Sequence, residues 1–394
     1  MATYFSGLGT AELAVDILRA AFPLVARAEL HIEVVASCEK AVGLQRVLSK
    51  RSDACVFGDV FERVAADAAV ACDAYRKAAR SARVAPASRC QKHMAACPTK
   101  PVDIVVAGPS CRPWSSSNRG KSRGTDHLDI KQLYAWCRLM REDAPSIIIL
   151  ENVRGFDEQV VERQLGDLYM MASCLTVSPS DVGFWFVRRP RRYLVLTRRD
   201  AQINLDALPS LYERLRAALS KESDSWHQWV WRATPSELEA EYAAACARRS
   251  APTHRGADAA SWRDLLTAPQ QSRLAEYETQ WFRRHGISAS KCPACVFDLA
   301  DTPLYVSALR GQGLLPTFRR KGNILWSPAR ERWMTGQEKA AAMGYPVYAD
   351  LAQRALVDLD DATLQHLPSV GNAMHVANVG AVMLATLSAA AWHS

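Results

Sequence analysis

No run in the 394-residue chain approaches the roughly 20 consecutive apolar positions that a membrane helix requires. No charged segment followed by an apolar core opens the chain, which argues against a secretory leader. The 11 cysteines lack the dense spacing of a small disulfide-stapled domain, so they read as reduced thiols of an intracellular protein. Internal repeats and long low-complexity tracts are missing, which excludes a solenoid and a largely disordered chain. Acidic residues are the scarcer charge: 41 against 49 lysines and arginines leave a net charge of +8, a balance that suits a polyanionic partner. Hydrophobic residues make up 49% of the chain, enough for one large domain and a smaller one. The first strand begins almost at Met1, so no targeting or regulatory domain is expected ahead of it.

What is there has a rhythm. Ala2 to Phe5, His31 to Ser37, a short run ending at Phe57, Val102 to Ala107, Ile147 to Leu150 and Tyr193 to Thr197 read as strands. Ala11 to Ala21 and Lys40 to Ser49 read as helices between them. The fully apolar runs are those of buried parallel strands. The βαβα order predicts an α/β fold, a doubly wound Rossmann-like sheet with helices on both faces. An Ala- and Arg-rich stretch at about 62–100 exceeds an ordinary connection, and its alanines predict a helical insertion. The rhythm lapses from Asp200 to about Lys321, where Trp226, Trp229, Trp231, Trp262 and Trp281 mix with charges. The expected organisation is a large domain of residues 1–199, a smaller domain of 200–321 with the tryptophans as its core, and a return to the large domain over 322–394. The return ends in a helix over about Gly371 to Ala391.

The pieces that carry chemistry lie at the carboxyl ends of these strands. Phe5-Ser-Gly-Leu-Gly9 joins a strand to a helix, and glycines there let a ligand approach the backbone. Glu39 follows the second strand, where an acid accepts from ribose hydroxyls. Asp59 and Val60 follow the third, where the Asp can accept from an adenine amino group. Three such groups at successive strand ends suggest an adenosine-containing cofactor. Cys111 sits on a loop stiffened by Pro109 and Pro113, just past a buried strand. Glu151 ends the Ile147-Ile-Ile-Leu150 strand, placed to donate a proton or a hydrogen bond to a ring nitrogen. Arg189 and Arg191 lead into the last strand, where a guanidinium fork can hold a carbonyl oxygen or a phosphate. Cys292-Pro-Ala-Cys295 has no second pair close by; Cys90, His93 and Cys97 are the residues that would have to complete a zinc site with it, and no metal is expected.

In this order the pieces resemble the cytosine-C5 DNA methyltransferase family. Phe5-Ser-Gly-Leu-Gly9 is similar to its first motif, Cys38-Glu39 and Gly58-Asp59-Val60 to the second and third. Gly108-Pro-Ser-Cys-Arg-Pro-Trp-Ser115 resembles the nucleophile loop, usually Gly-x-Pro-Cys-Gln-Pro-Phe-Ser. Glu151-Asn152-Val153 matches the Glu-Asn-Val motif, and Arg189-Pro-Arg-Arg-Tyr193 resembles Gln-x-Arg-x-Arg. Trp333 to Pro346 and Val370-Gly-Asn-Ala-Met374 resemble the ninth and tenth motifs. Departures are Thr10 for a third glycine, Ser110 for proline, Arg112 for glutamine and Val187 for the Gln of Gln-x-Arg-x-Arg; the fifth motif is barely recognisable in Gly124 to Leu133.

The resemblance implies S-adenosyl-L-methionine as cofactor, held by Phe5, Gly7, Leu8, Gly9, Glu39, Asp59, Val60, Pro109, Asn372, Ala373 and Met374. It implies Cys111 as nucleophile toward cytosine C6, Glu151 at N3, and Arg191 with Arg189 at O2 and the nucleophile loop. It places target recognition in 200–321, with Arg112, Ser115, Arg255, Arg283, Arg284, Arg319 and Arg320 as candidate contacts to double-stranded DNA. A monomer without membrane attachment is expected, in the nucleus of a eukaryotic host or otherwise the cytoplasm. Two further readings share the fold: a tRNA cytosine-C5 methyltransferase, whose usual Cys-Phe-Thr signature is missing here, and a catalytically silent DNA-binding homologue.

Overall fold

A computed structural model describes residues 1–26, 29–115, 123–221, 226–249, 261–303, 314–319, 323–359, 363–364 and 367–390. Nine strands form its main sheet: β1 (Ala2–Tyr4), β2 (Ala36–Cys38), β3 (Cys55–Phe57), β4 (Ala87–Cys90), β5 (Ala95–Pro98), β6 (Ile104–Ala107), β7 (Ile147–Val153), β8 (Tyr169–Val177) and β9 (Arg191–Arg198). Their spatial order is β5-β4-β3-β2-β1-β6-β7-β9-β8. From β3 through β7 every pairing is parallel. The order reverses between β1 and β6, and such a switch point leaves a crevice at the strands' carboxyl ends.

Strand alternation explains why both faces are covered. Ile104, Val106, Ile147, Ile149, Tyr193 and Val195 belong to one buried cluster, with α1 (Thr10–Ala26), α6 (Leu208–Leu219) and the last helix (Val376–Ala389). Their immediate neighbours Val105, Ala107, Ile148, Leu150, Leu194 and Leu196 face the opposite cluster, with α3 (Cys72–Ser81), α4 (Ile130–Asp143) and α5 (Gln159–Leu165). Successive side chains point to opposite faces of a strand, so a fully apolar strand must be sandwiched between helical layers. The fold is a three-layer, doubly wound α/β fold, as the rhythm predicts.

Several expectations are corrected. The 62–100 stretch is helical only over α3; residues 87–98 form a β4–β5 hairpin that pairs antiparallel onto β3 through Phe57 and Cys90. Pro86 and Pro98 interrupt any continuous helix, and the open edge of β3 overrides alanine's weak helical preference. The strand expected from His31 begins only at Ala36. β8 was not foreseen, and β9 runs antiparallel to both neighbours, not parallel. Among the described residues one 20-residue stretch, Val370–Ala389, is long and apolar enough to cross a membrane by composition, but it is mostly buried, as in a core helix; it includes the last helix against α1 and α6.

The tryptophans do not share one core. Trp226 and Trp231 are buried in the main core, and Trp226 stacks on Phe186 with ring centroids 4.5 Å apart. Trp281 and the half-buried Trp262 belong to a separate cluster with Leu274, Phe297, Trp326 and Trp333. That cluster surrounds a three-stranded sheet of β10 (Phe297–Asp298), β11 (Leu325–Ser327) and β12 (Arg332–Trp333) and includes α9 (Ala268–His285).

Candidate active site

The first turn after β1 is built for close approach. Phe5, Gly7 and Gly9 all have positive φ, of 57°, 57° and 71°. A Cβ at Gly7 would meet nothing nearer than the Phe5 carbonyl oxygen at 4.0 Å, so the loop presents open backbone. A Cβ at Gly9 would press on Leu48 at 3.0 Å, so that glycine serves packing onto α2 (Val42–Arg51). Thr10, in place of a third glycine, hydrogen-bonds the Tyr345 hydroxyl at 2.6 Å and ties the loop to the segment after α10 (Gly336–Ala342).

Phe5 and Gly7 border a cleft, partly open to solvent, with Gly108, Glu151 and the C-terminal Asn372, Ala373 and Met374 among its other walls. Glu39 reaches the loop from β2: its carboxylate accepts the Gly7 N–H at 3.0 Å and the Ala41 N–H at 2.8 Å. A carboxylate has about four lone-pair sites, so these bonds orient it and leave acceptor capacity. Asp59 caps the short 3-10 turn Val60–Arg63, accepting from the Phe61 N–H at 3.2 Å. Leu8 and Val60 turn away into the two cores. Pro109 contributes its carbonyl, which accepts from the Asn152 amide at 3.1 Å.

That bond links the Cys111 loop to the strand that carries Glu151. Asn152 is fully buried on β7 and grips the Cys111 loop one residue from Glu151. The loop closes on itself, with the Trp114 and Ser115 N–H groups donating to the Cys111 carbonyl at 3.0 and 2.9 Å. Ser110 donates to Asp129 at 2.6 Å, and Arg112 lies 3.4 Å from the same carboxylate. The two departures from the family pattern thus converge on one acid at the start of α4.

Glu151 is buried, and its Oε1 lies 3.1 Å from Arg191 Nε. Antiparallel pairing of β7 with β9 sets Arg191 opposite Val153, within reach of that carboxylate. The Cys111 sulfur is half-buried; burial pushes its pKa up, against the opposing pull of Arg191 and Arg189, while Glu151 adds to the rise. Arg189 is buried, and desolvation followed by repulsion from Arg191 lowers its pKa to about 9. It donates to the carbonyls of Ala373 at 2.7 Å and Gly371 at 3.3 Å, so it anchors the C-terminal wall of the cleft. Met374 closes over the sheet from there: a Cβ on Gly108 would meet its methyl at 2.7 Å.

The remaining candidates are dispersed. Arg283 and Arg284 are exposed in the last turn of α9. Arg319 is engaged with Asp301 at 2.5 Å and Asp298 at 3.4 Å. Arg255 and Arg320 lie outside the described residues. Cys292 and Cys295 sit in the third cluster, whereas Cys90 belongs to the second, so the fold does not bring that pair together with Cys90. Sequence reasoning missed Asn152, Asp129 and Tyr345 as site supports. Only Asn152 had a local signal, its place beside the acid; the other two act through tertiary contacts.

A family model for C-5 cytosine-specific DNA methylase matches residues 68–347, a span that contains Cys111, Glu151 and Arg191. The Type II methyltransferase M.HhaI of Haemophilus parahaemolyticus is 29% identical over 122 residues, 28% of this chain and 35% of that protein, so the match spans about a third of the relative's length. Among solved structures, a prophage-encoded DNA modification methyltransferase of E. coli superposes with a TM-score of 0.48 at 13% identity, covering 98% of this chain and 97% of that one. The Dnmt2 methyltransferase of S. pombe superposes with a TM-score of 0.43 at 14% identity, covering 98% and 96%. Together with the ordered motifs and the cleft they line, the family match decides the assignment: the chain belongs to the C-5 cytosine-specific DNA methylase family.

Proposed function

We propose that this chain methylates C5 of cytosine in double-stranded DNA through a transient bond from Cys111, with S-adenosylmethionine as donor. The observation that supports the reading is that the open glycine turn and Glu151 border one cleft, with Arg191 3.1 Å from Glu151 and the Cys111 sulfur close enough to feel the charges of both. The residues fit the donor. Gly7 leaves space for a ligand against the backbone, the oriented Glu39 carboxylate suits ribose hydroxyls, and Asp59 suits an adenine amino group. Phe5, Asn372, Ala373 and Met374 would enclose it. When bound, S-adenosylmethionine supplies an electrophilic methyl sulfonium.

The chain's own residues solve the other half of the problem, the weak nucleophilicity of cytosine C5. A bond from the Cys111 sulfur to C6 makes C5 enolate-like and able to attack. Glu151 hydrogen-bonds N3 and stabilises the ring as it gains a proton. Arg191, ordered by its ion pair with Glu151, holds O2, and Arg189 keeps the C-terminal wall in place. Loss of the C5 proton then expels the sulfur. The base leaves the duplex first, because both ring faces must meet protein. Residues 200–321 provide target recognition, and the net charge of +8 makes binding salt-sensitive. The enzyme acts as a monomer, inside the cell.

The test is transfer of a tritiated methyl group to duplex DNA and to tRNA by the wild type and by Cys111→Ala. Labelling of DNA that the variant abolishes is expected. Labelling of tRNA alone would reassign the substrate, and labelling of neither would mark a silent DNA-binding homologue.

A further inference from the structure

A second cluster of reactive side chains lies on the opposite flank of the sheet from Glu151, where β3 meets the β4–β5 hairpin. Cys55 opens β3, Cys90 ends β4, His93 sits in the turn and Cys97 lies on β5. The ligand atoms of these four residues all lie within 4.8 Å of one another. The His93 Nδ1 is 3.7 Å from the Cys55 sulfur, 3.4 Å from that of Cys90 and 3.4 Å from that of Cys97. A tetrahedron with Zn–S near 2.3 Å and Zn–N near 2.05 Å has S–N edges of about 3.6 Å. The three observed edges bracket that value without any rearrangement.

From this geometry we infer a structural zinc site of composition Cys3His, formed by Cys55, Cys90, Cys97 and Nδ1 of His93. Four protein ligands fill a tetrahedral zinc, so the site has no open position and is structural rather than catalytic. Three thiol protons leave as the metal binds, and thiolates with one imidazole select zinc over magnesium or calcium. The surroundings support the sulfurs. The Val56 N–H donates to the Cys90 sulfur at 3.4 Å, as outer-shell donors to metal thiolates do. The turn itself is clamped: the Lys92 ammonium donates to the carbonyls of Ser49 at 2.8 Å and Ser52 at 3.0 Å.

The hairpin has reason to need a metal. Among the described residues a single ladder pair, Phe57 with Cys90, and the Gln91 N–H on the Val56 carbonyl at 2.7 Å join its backbone to β3, and Ala95, Ala96 and Pro98 are exposed, so little apolar burial holds it. A Cys90–His93–Cys97 clamp onto Cys55 cross-links the sheet edge by chemistry instead. The same hairpin meets the segment after β3, since Ser88 donates to Glu62 at 3.3 Å and Glu62 accepts from the Asp59 N–H at 3.1 Å.

The full chain purified without chelator should carry one zinc by elemental analysis, with three sulfurs and one nitrogen at the metal by X-ray absorption. Replacement with cobalt(II) should give the strong visible absorption of a tetrahedral thiolate site. After a brief chelator challenge, Cys97→Ser should retain almost no metal while Cys292→Ser keeps its full complement. A chain free of zinc, a disulfide among Cys55, Cys90 and Cys97, a coordination sphere with fewer than three sulfurs, or zinc lost on Cys292→Ser would each overturn the assignment. The wild-type spectra carry the test even where Cys97→Ser misfolds.

Discussion

At the scale of single residues the reacting groups are tuned by their neighbours. Burial raises the Cys111 pKa above the ordinary thiol value, which favours the protonated thiol, and the two arginines counter that rise. Adduct formation needs the thiolate, so kcat/KM should climb with pH above neutrality. Arg191→Ala removes the largest lowering influence and should move that limb to higher pH, measured as the pH–rate profile or as the pH dependence of iodoacetamide labelling of Cys111. Glu151→Gln keeps a hydrogen bond but loses the acid and the partner of Arg191; kcat should fall by about 10²–10⁴, with far less change in DNA affinity, in single-turnover assays. Cys111 and Glu151 could be singled out as candidates because their motifs are local. The clasp of Ser110 and Arg112 on Asp129 was not, because it joins a loop to a helix start 17 or more residues away.

At the scale of elements, the turns between strand and helix set the geometry. Gly9 has φ of 71° and faces Leu48 at 3.0 Å, so Gly9→Ala imposes both strain and crowding. It should cost about 1–3 kcal/mol in urea denaturation and raise the KM for S-adenosylmethionine. The last helix is capped by His375, whose Nδ1 accepts the Asn378 N–H at 3.4 Å. Burial, aided by repulsion from Arg189, lowers its pKa from 6.5 to about 3, so the ring stays neutral in the fold. The unfolded chain binds a proton there below its ordinary pKa while the folded chain does not. This stability is therefore complete above about pH 6.5 and is lost as pH falls toward 3, by at most about 1.4 kcal/mol per unit. Urea midpoints for the wild type should fall more steeply across that window than those for His375→Gln. Central strands were readable from their apolar runs. The β4–β5 hairpin was not, because its small, exposed residues carry no periodic signal and its pairing depends on the open edge of β3.

At the scale of the whole molecule, long-range ion pairs fasten the layers beneath the site. Arg63 grips Asp143 with two bonds of 2.7 and 2.8 Å, and Tyr4 of β1 donates to the same carboxylate at 3.1 Å. The pair joins the turn after β3 to the end of α4, both sides largely buried, so Arg63→Ala should lose about 3–5 kcal/mol in chemical denaturation. The doubly wound sheet was legible because a run such as Ile147-Ile-Ile-Leu150 can bury both faces only between two helical layers. Where the tryptophans would pack was not, since Trp226 and Trp281 look alike in sequence and are sorted only by tertiary position. The central claim is that Cys111 bonds the target base inside the cleft walled by Glu151. Duplex DNA carrying 5-fluorocytosine tests it most directly, because fluorine at C5 cannot leave as a proton does and the adduct is held. With S-adenosylmethionine present, the wild type should form a complex that survives denaturing electrophoresis and Cys111→Ser should form none; an equally stable complex with Cys111→Ser, or methylated DNA with no trapped wild-type complex, would contradict it.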